Sequence, residues 1–119
     1  MAITILAQRN AMATAYGVAA PFGALFQSTG PGTSGSATNE STGGSPAYNR
    51  KAMSWSGPAA SAITGAPVFD VASGQTITYF GVAVTVTPGT ADIRDAVAVT
   101  SQNFASQGTY TVTATYTQT

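Results

Sequence analysis

The last twelve residues, Gly-Thr-Tyr-Thr-Val-Thr-Ala-Thr-Tyr-Thr-Gln-Thr over 108–119, place the tightest constraint on the fold. Tyr110, Val112, Ala114 and Tyr116 alternate with Thr109, Thr111, Thr113, Thr115 and Thr117, the period-two pattern that puts one set on each face of a β-strand. Neither glycine nor proline interrupts the run after Gly108, and its threonine, valine and tyrosine side chains suit a pleated surface. The Tyr/Val/Ala face is expected to cover a core. The threonine face is polar and carries no charge. Long edge strands are ordinarily guarded by lysine, proline or a bulge, because an open backbone edge recruits other chains. This one has no guard, so either the sheet or a neighbouring subunit has to cover it. Tyr110, Val112, Tyr116, Thr109, Thr111 and Thr113 are therefore candidate self-assembly residues.

Charge narrows the function classes. Four basic and four acidic residues leave a net charge of zero, and only 7% of the 119 residues are charged, against about 25% in ordinary soluble proteins. The surface must be made of serine, threonine, alanine, glycine and asparagine. A nucleic-acid groove requires clustered lysine and arginine, and only Arg50-Lys51 stands as a pair. Low net charge also removes the repulsion that keeps monomers apart, which points to a homo-oligomer such as a trimer.

Cysteine and histidine are both absent. Disulfides and thiolate metal sites are excluded, and with histidine go the commonest general base and metal ligand. Serines are abundant, but Lys51 beside Arg50 is a poor activator for one, so an enzyme is not expected. Asp92 and Asp95 are the only close carboxylates, short of the six to eight oxygens a calcium site needs. No cofactor and no metal are expected. The N-terminus lacks the basic leader and apolar run of a signal peptide, and no stretch approaches the ~20 apolar residues of a membrane span.

Along the chain, residues 3–16 place Ile5, Leu6, Met12 and Tyr16 at spacings that predict a helix, with Thr4 as its cap and Gly17 at its end. Residues 22–27 read as a short buried strand. Residues 28–46 hold five glycines and two prolines; such a stretch is a mobile surface loop or an arm that orders against a neighbour. Residues 48–55 resume strand character, with Tyr48, Arg50, Ala52 and Ser54 on one face, until Gly57-Pro58 stops it. Further strands are expected over 67–71, 75–87 and 96–100, the second in the middle of a sheet or between two layers because both its faces are partly apolar. Asp70 is expected to accept hydrogen bonds from the turn around Ser73 and Gly74. Arg50 and Lys51 are expected at a polar rim or paired with Glu40 or Asp70. The fold class that follows is mainly β: a single β-sandwich or small jelly-roll-like domain over 1–119, with an N-terminal helix or arm over 1–20 and a long Gly/Ser/Thr-rich loop over 28–47.

Trp55 and Tyr48, with Tyr79, Tyr110 and Tyr116, are candidate aromatic contacts that could stack on sugar rings, or core and interface aromatics with satisfied polar tips. Asn39-Glu40-Ser41 matches a glycosylation pattern, which without a secretion signal is accidental.

The order and spacing of several short runs resemble a family of virion proteins. These runs are Asn39-Glu40, Thr42-Gly43-Gly44-Ser45-Pro46-Ala47-Tyr48, Trp55, Val68-Phe69-Asp70-Val71-Ala72-Ser73-Gly74 and Gln107-Gly108-Thr109-Tyr110-Thr111-Val112. The family comprises the short tail-fibre or minor tail proteins of actinobacterial phages and prophages, and the similarity is patchy over residues 22–112. The chain departs from it at 22–27, where the family often carries a Tyr-Ala-Ala-Leu-His-type run, and at 82–94, where an aromatic, glycine-rich hairpin is usual. The resemblance implies a structural protein at the phage particle surface, made in the bacterial cytoplasm, with major capsid or tail proteins as partners. A fibre needs a shaft, and heptads, collagen triplets or room for a β-helical stem are missing. A compact knob remains, which suits capsid decoration; a tail position and a module binding host cell-wall carbohydrate are the alternatives.

Overall fold

In the computed structural model, which describes residues 2–119, the chain forms one helix and nine strands. The protein is mainly β, a small sandwich-like domain behind an N-terminal helix. The strands are β1 (Phe22–Gln27), β2 (Lys51–Ala52), β3 (Ser56–Ala59), β4 (Ala62–Gly65), β5 (Val68–Val71), β6 (Gln75–Ala83), β7 (Ile93–Phe104), β8 (Gly108–Thr111) and β9 (Ala114–Thr117). They make antiparallel sheets ordered β2-β1-β6-β7, β3-β4-β9 and β5-β8.

The helix α1 runs Leu6–Ala19, three residues later than the sequence suggests, and passes straight through Gly17. Ile5 rather than Thr4 stands at its N-cap, and no side chain caps it. Gly17 serves close packing instead of termination: a Cβ there would sit 3.0 Å from Ile63 Cδ1 and 3.1 Å from Trp55 Cδ1. What ends the helix is Pro21, which disfavours helical geometry in the residue before it. Ala20 accordingly leaves the helix at φ −135°, ψ 66°.

The terminal stretch is two strands, not one, yet its alternation holds. Thr109, Thr111, Thr113, Thr115 and Thr117 are exposed, while Tyr110, Val112, Ala114 and Tyr116 are turned inward. Gly65 faces Ala114 and Val68 faces Thr111, three residues further along each chain, so both ladders keep one register. The break between them comes from the partner strand. Pro67 has no N–H to donate, and only Val112 N–H to Pro67 O (3.1 Å) bridges the gap.

This bent ribbon packs over one face of the four-stranded sheet. Leu25, Ile77, Phe80 and Val82 from the sheet meet Phe69, Val71, Met53 and Val112. Strand β1 is buried on both sides and sends Ala24 and Phe26 into a second cluster with Ala83 and Ile93. That second face lies under residues 28–46. They are held to their own domain by Gln27 N–H to Asn39 O (2.8 Å), Ser41 N–H to Leu25 O (2.9 Å) and Ile93 N–H to Gly35 O (3.1 Å). Gly30, at φ +72°, lets the loop lie against Tyr79, since a Cβ there would come within 2.6 Å of the ring. Strand β6 sits between β1 and β7, in the middle of its sheet, and ends at Ala83, short of residue 87.

Only Lys51–Ala52 of residues 48–55 is strand, and the expected face divides: Tyr48 and Arg50 are buried, Ala52 and Ser54 exposed. Asp70 does not take the turn amides. It lies 3.9 Å from Lys51, and Gly74 N–H instead donates to Phe104 O.

Arg50 is no rim residue; it is 1% exposed. Its Nε donates to Glu40 Oε2 (2.9 Å) and its Nη2 to Glu40 Oε1 (2.9 Å) and Thr90 O (2.8 Å). Its Nη1 donates to Asp92 Oδ1 (2.7 Å) and Thr85 O (3.2 Å), so all five guanidinium N–H groups are used. Glu40 is saturated as well, taking the Tyr48 hydroxyl (2.8 Å) on Oε2 and Gly89 N–H (2.9 Å) on Oε1. Leu25 N–H donates in turn to the Tyr48 oxygen (3.0 Å), and Thr85 N–H to Asp92 Oδ2 (2.8 Å). Burial alone opposes ionisation of Arg50, but the two carboxylates outweigh it and hold the guanidinium charged. Desolvation pushes the Asp92 carboxyl up, yet the hydrogen bonds from Thr85 and Arg50 win and keep it below the usual carboxylate range. One hub therefore ties together β1, the long loop, the segment before β2 and the β6–β7 connection.

Removing one member of a buried ion pair strands the other charge, a loss of about 3–5 kcal/mol. Glu40→Ala is expected to lower the urea unfolding free energy by that amount, whereas Lys51→Ala, at the partly exposed, 3.9 Å pair with Asp70, should cost less than about 1 kcal/mol. Equal effects of the two substitutions would show that the hub does not hold the fold.

Candidate assembly surface

Among the strands at sheet edges, β8 pairs only with β5, β9 only with β4, and β7 only with β6. The last is the longest, 12 residues, and its side chains from Arg94 to Asn103 are exposed or half-buried on both faces. Val97 is 59% exposed. Sequence reading recognises only residues 96–100 of it, because a strand exposed on both faces shows no period-two alternation.

The predicted assembly residues divide by face. Thr109, Thr111 and Thr113 lie on the open neutral surface, with Thr115 continuing it and its hydroxyl 3.3 Å from that of Thr64 across the ladder. Val112 is buried at 9% exposure, and Tyr110 packs edge-on against Phe104 with ring centres 6.2 Å apart. Tyr116 stacks on Tyr16 at 3.8 Å with the rings 7° from parallel. The inward half of the terminal stretch thus takes part in the domain's own packing.

The predicted aromatic contacts also separate. Tyr48 is 4% exposed inside the charged hub and presents no ring face to solvent. Trp55 is half-buried, donates its Nε1–H to Ala20 O (2.9 Å) and meets Tyr16 edge-on at 6.1 Å. It lines a cleft of about 320 Å³ between β6 and β7 on one side and residues 112–116 on the other. Tyr16 closes one end, its hydroxyl donating to Asp95 Oδ2 (2.8 Å), while Asp95 Oδ1 accepts the amide of Ala96 (2.9 Å). Val82, Val97, Val99 and Ala114 make the remaining walls mostly apolar.

The Tyr16 hydroxyl, the Trp55 indole N–H, the Asp95 carboxylate and the Tyr116 hydroxyl each have a partner within the domain. Asp92 and Asp95 diverge, one toward Arg50 and the other toward Tyr16. Among the described residues no three acidic side chains converge as a metal site would require, and no helix is long and apolar enough to cross a membrane. Tyr16 and Asp95 escape a reading of the sequence because 79 positions separate them.

Comparison with protein-family models, curated proteins and solved structures finds no match to this chain.

Burial, then the neighbouring Asp95, pushes the Tyr16 hydroxyl well above the ordinary tyrosine range, and burial with Glu40 does the same for Tyr48. An acid whose folded pKa is raised stabilises the fold fully below its unfolded pKa, about 10 for tyrosine, and loses that contribution as pH rises beyond it. The urea midpoint is expected to fall between pH 9 and about 12, and to fall less in Tyr16→Phe. Identical slopes in both proteins would contradict the assignment.

Proposed function

We propose that this chain is a non-enzymatic structural subunit of a tailed-bacteriophage virion, a small homo-oligomeric knob on the particle surface that decorates and stabilises the capsid. The observation that carries the reading is the 12-residue strand β7, which pairs with β6 alone and is largely exposed between Arg94 and Asn103. The outer edge of a strand so exposed gains main-chain hydrogen bonds when a neighbour covers it. The neutral threonine face of β8 and β9 offers a second surface without charge to repel a lattice. The resemblance of residues 22–112 to phage tail-fibre and minor tail proteins supports the virion setting, and the absence of a shaft among the described elements favours a knob over a fibre. Binding only the assembled shell would stabilise it by mass action.

Gold labelling with an antibody to this chain, applied to particles made by the genome that encodes it, tests the reading. Label over the heads is the expected result. Label confined to tails replaces decoration with a tail role, and unlabelled particles that lack the polypeptide on gels overturn the virion assignment.

A further inference from the structure

The cleft beside Trp55 carries an unbalanced charge. Of the four acidic side chains in the chain, Glu40 and Asp92 share Arg50, and Asp70 lies near Lys51. The fourth, Asp95, makes no ion pair among the described residues, and no lysine or arginine lines the cleft that it borders. Even Arg94, its neighbour in the chain, is not among the lining side chains. Asp95 takes one hydrogen bond on each oxygen, from the Tyr16 hydroxyl and from the Ala96 amide, and each oxygen can accept another.

What surrounds this carboxylate selects the kind of molecule that can meet it. Tyr16, Trp55 and Tyr116 line the cleft together with Val97 and Val99, and the faces of aromatic rings attract cations. The Tyr16 hydroxyl, the Trp55 Nε1–H and the Tyr116 hydroxyl already donate to Asp95, Ala20 O and Gln118, so they hold no spare proton for a ligand. A sugar, whose hydroxyls both donate and accept, would leave its own acceptors unmet by those three groups. An organic ammonium ion needs only acceptors and a negative field. At about 320 Å³ the cleft stands at the lower end of the roughly 300–1,000 Å³ that small-molecule sites occupy, room for one ring or a short alkyl chain.

We propose that this cleft binds a primary organic ammonium ion with a compact apolar body, the ammonium donating to Asp95 and the body lying against Val97, Val99 and the rings of Trp55 and Tyr16. The strand register places charge and wall together. Asp95 lies opposite Val82 and Val97 opposite Phe80, and both partners belong to the main core cluster. Val99 packs against that cluster as well. The carboxylate and the two valines therefore follow one another at every second position on a single face of β7. Residues 112–116 form the opposite wall. A cation taken from water into apolar surroundings must be paired and hydrogen-bonded, and Asp95 supplies both needs at one point.

NMR titration of the nitrogen-labelled full chain near neutral pH is the test, because Trp55 is the only tryptophan and its indole N–H gives a single reporter in the cleft. The probes are benzylamine, protonated under these conditions, and benzyl alcohol, its neutral counterpart of nearly equal shape. Benzylammonium is expected to shift the Trp55 resonance saturably and to bind about tenfold or more tightly than the alcohol, the margin of a charged over a neutral hydrogen bond. Asp95→Asn, which keeps an acceptor for Tyr16, should retain its circular dichroism and bind the two probes equally. Val97→Lys, at a site 59% exposed, sets an ammonium of the chain's own beside Asp95 and should remove benzylammonium binding. Thr111→Lys, outside the cleft, should leave it unchanged. Equal binding of the two probes by wild type, an unaltered preference in Asp95→Asn, undiminished binding in Val97→Lys or the absence of any saturable shift overturns the site. So does a saturable shift with glucose in place of benzylammonium.

Discussion

A guanidinium taken out of water must have every N–H satisfied and its charge balanced, and the placing of Arg50 meets both demands at once. Five hydrogen bonds and two carboxylates surround it, drawn from the long loop and from the β6–β7 connection. The arrangement is intolerant of partial assembly, because a half-satisfied buried network is worse than none. It therefore decides how residues 28–46 lie: Glu40 can reach Arg50 and Tyr48 only if the loop folds back along β1. In doing so the loop covers Phe26, Ala83 and Ile93 and gives the sheet a second buried face. A segment composed like a flexible linker becomes a structural layer through one carboxylate.

The same hub accounts for the character of the outside. Arg50, Glu40 and Asp92 are three of only eight ionisable Lys/Arg/Asp/Glu side chains, and they are turned inward or to each other. Little remains to mark the surface with charge. Along β7 the charges are confined to Arg94 and Asp95 at one end, and along β8 and β9 there are none. Solubility then rests on threonine, serine and amide groups, which hydrate well but do not repel a copy of themselves. Burying charge inside and leaving strand edges neutral are two sides of one composition.

Legibility in the sequence followed the sources of the signal. Where one face of a strand is buried, as over 108–117, alternation reports it directly, and the threonine and Tyr/Val/Ala faces came out on the expected sides. The fully buried run Phe22–Gln27 was legible from its apolar continuity. Gly17 misled because a glycine late in a helical pattern looks like a terminator, whereas here it answers the bulk of Ile63 and Trp55, distant in sequence. The β3–β4 hairpin was hidden behind Gly57-Pro58, and β7 behind its exposure on both faces. Arg50 could be paired with Glu40 on charge alone, but its burial depends on Thr85, Thr90 and Asp92, which only the fold brings near. Over the terminal stretch, periodicity separated the two faces without saying what either would meet.

The central claim is that β7 is a surface made to be covered by another copy. Amide hydrogen exchange measured by mass spectrometry at low and high protein concentration tests it most directly. Exchange in residues 93–104 should slow markedly as concentration rises, while Phe22–Gln27, already paired on both edges, stays unchanged. Exchange in residues 93–104 that is equally fast at every concentration would contradict the account.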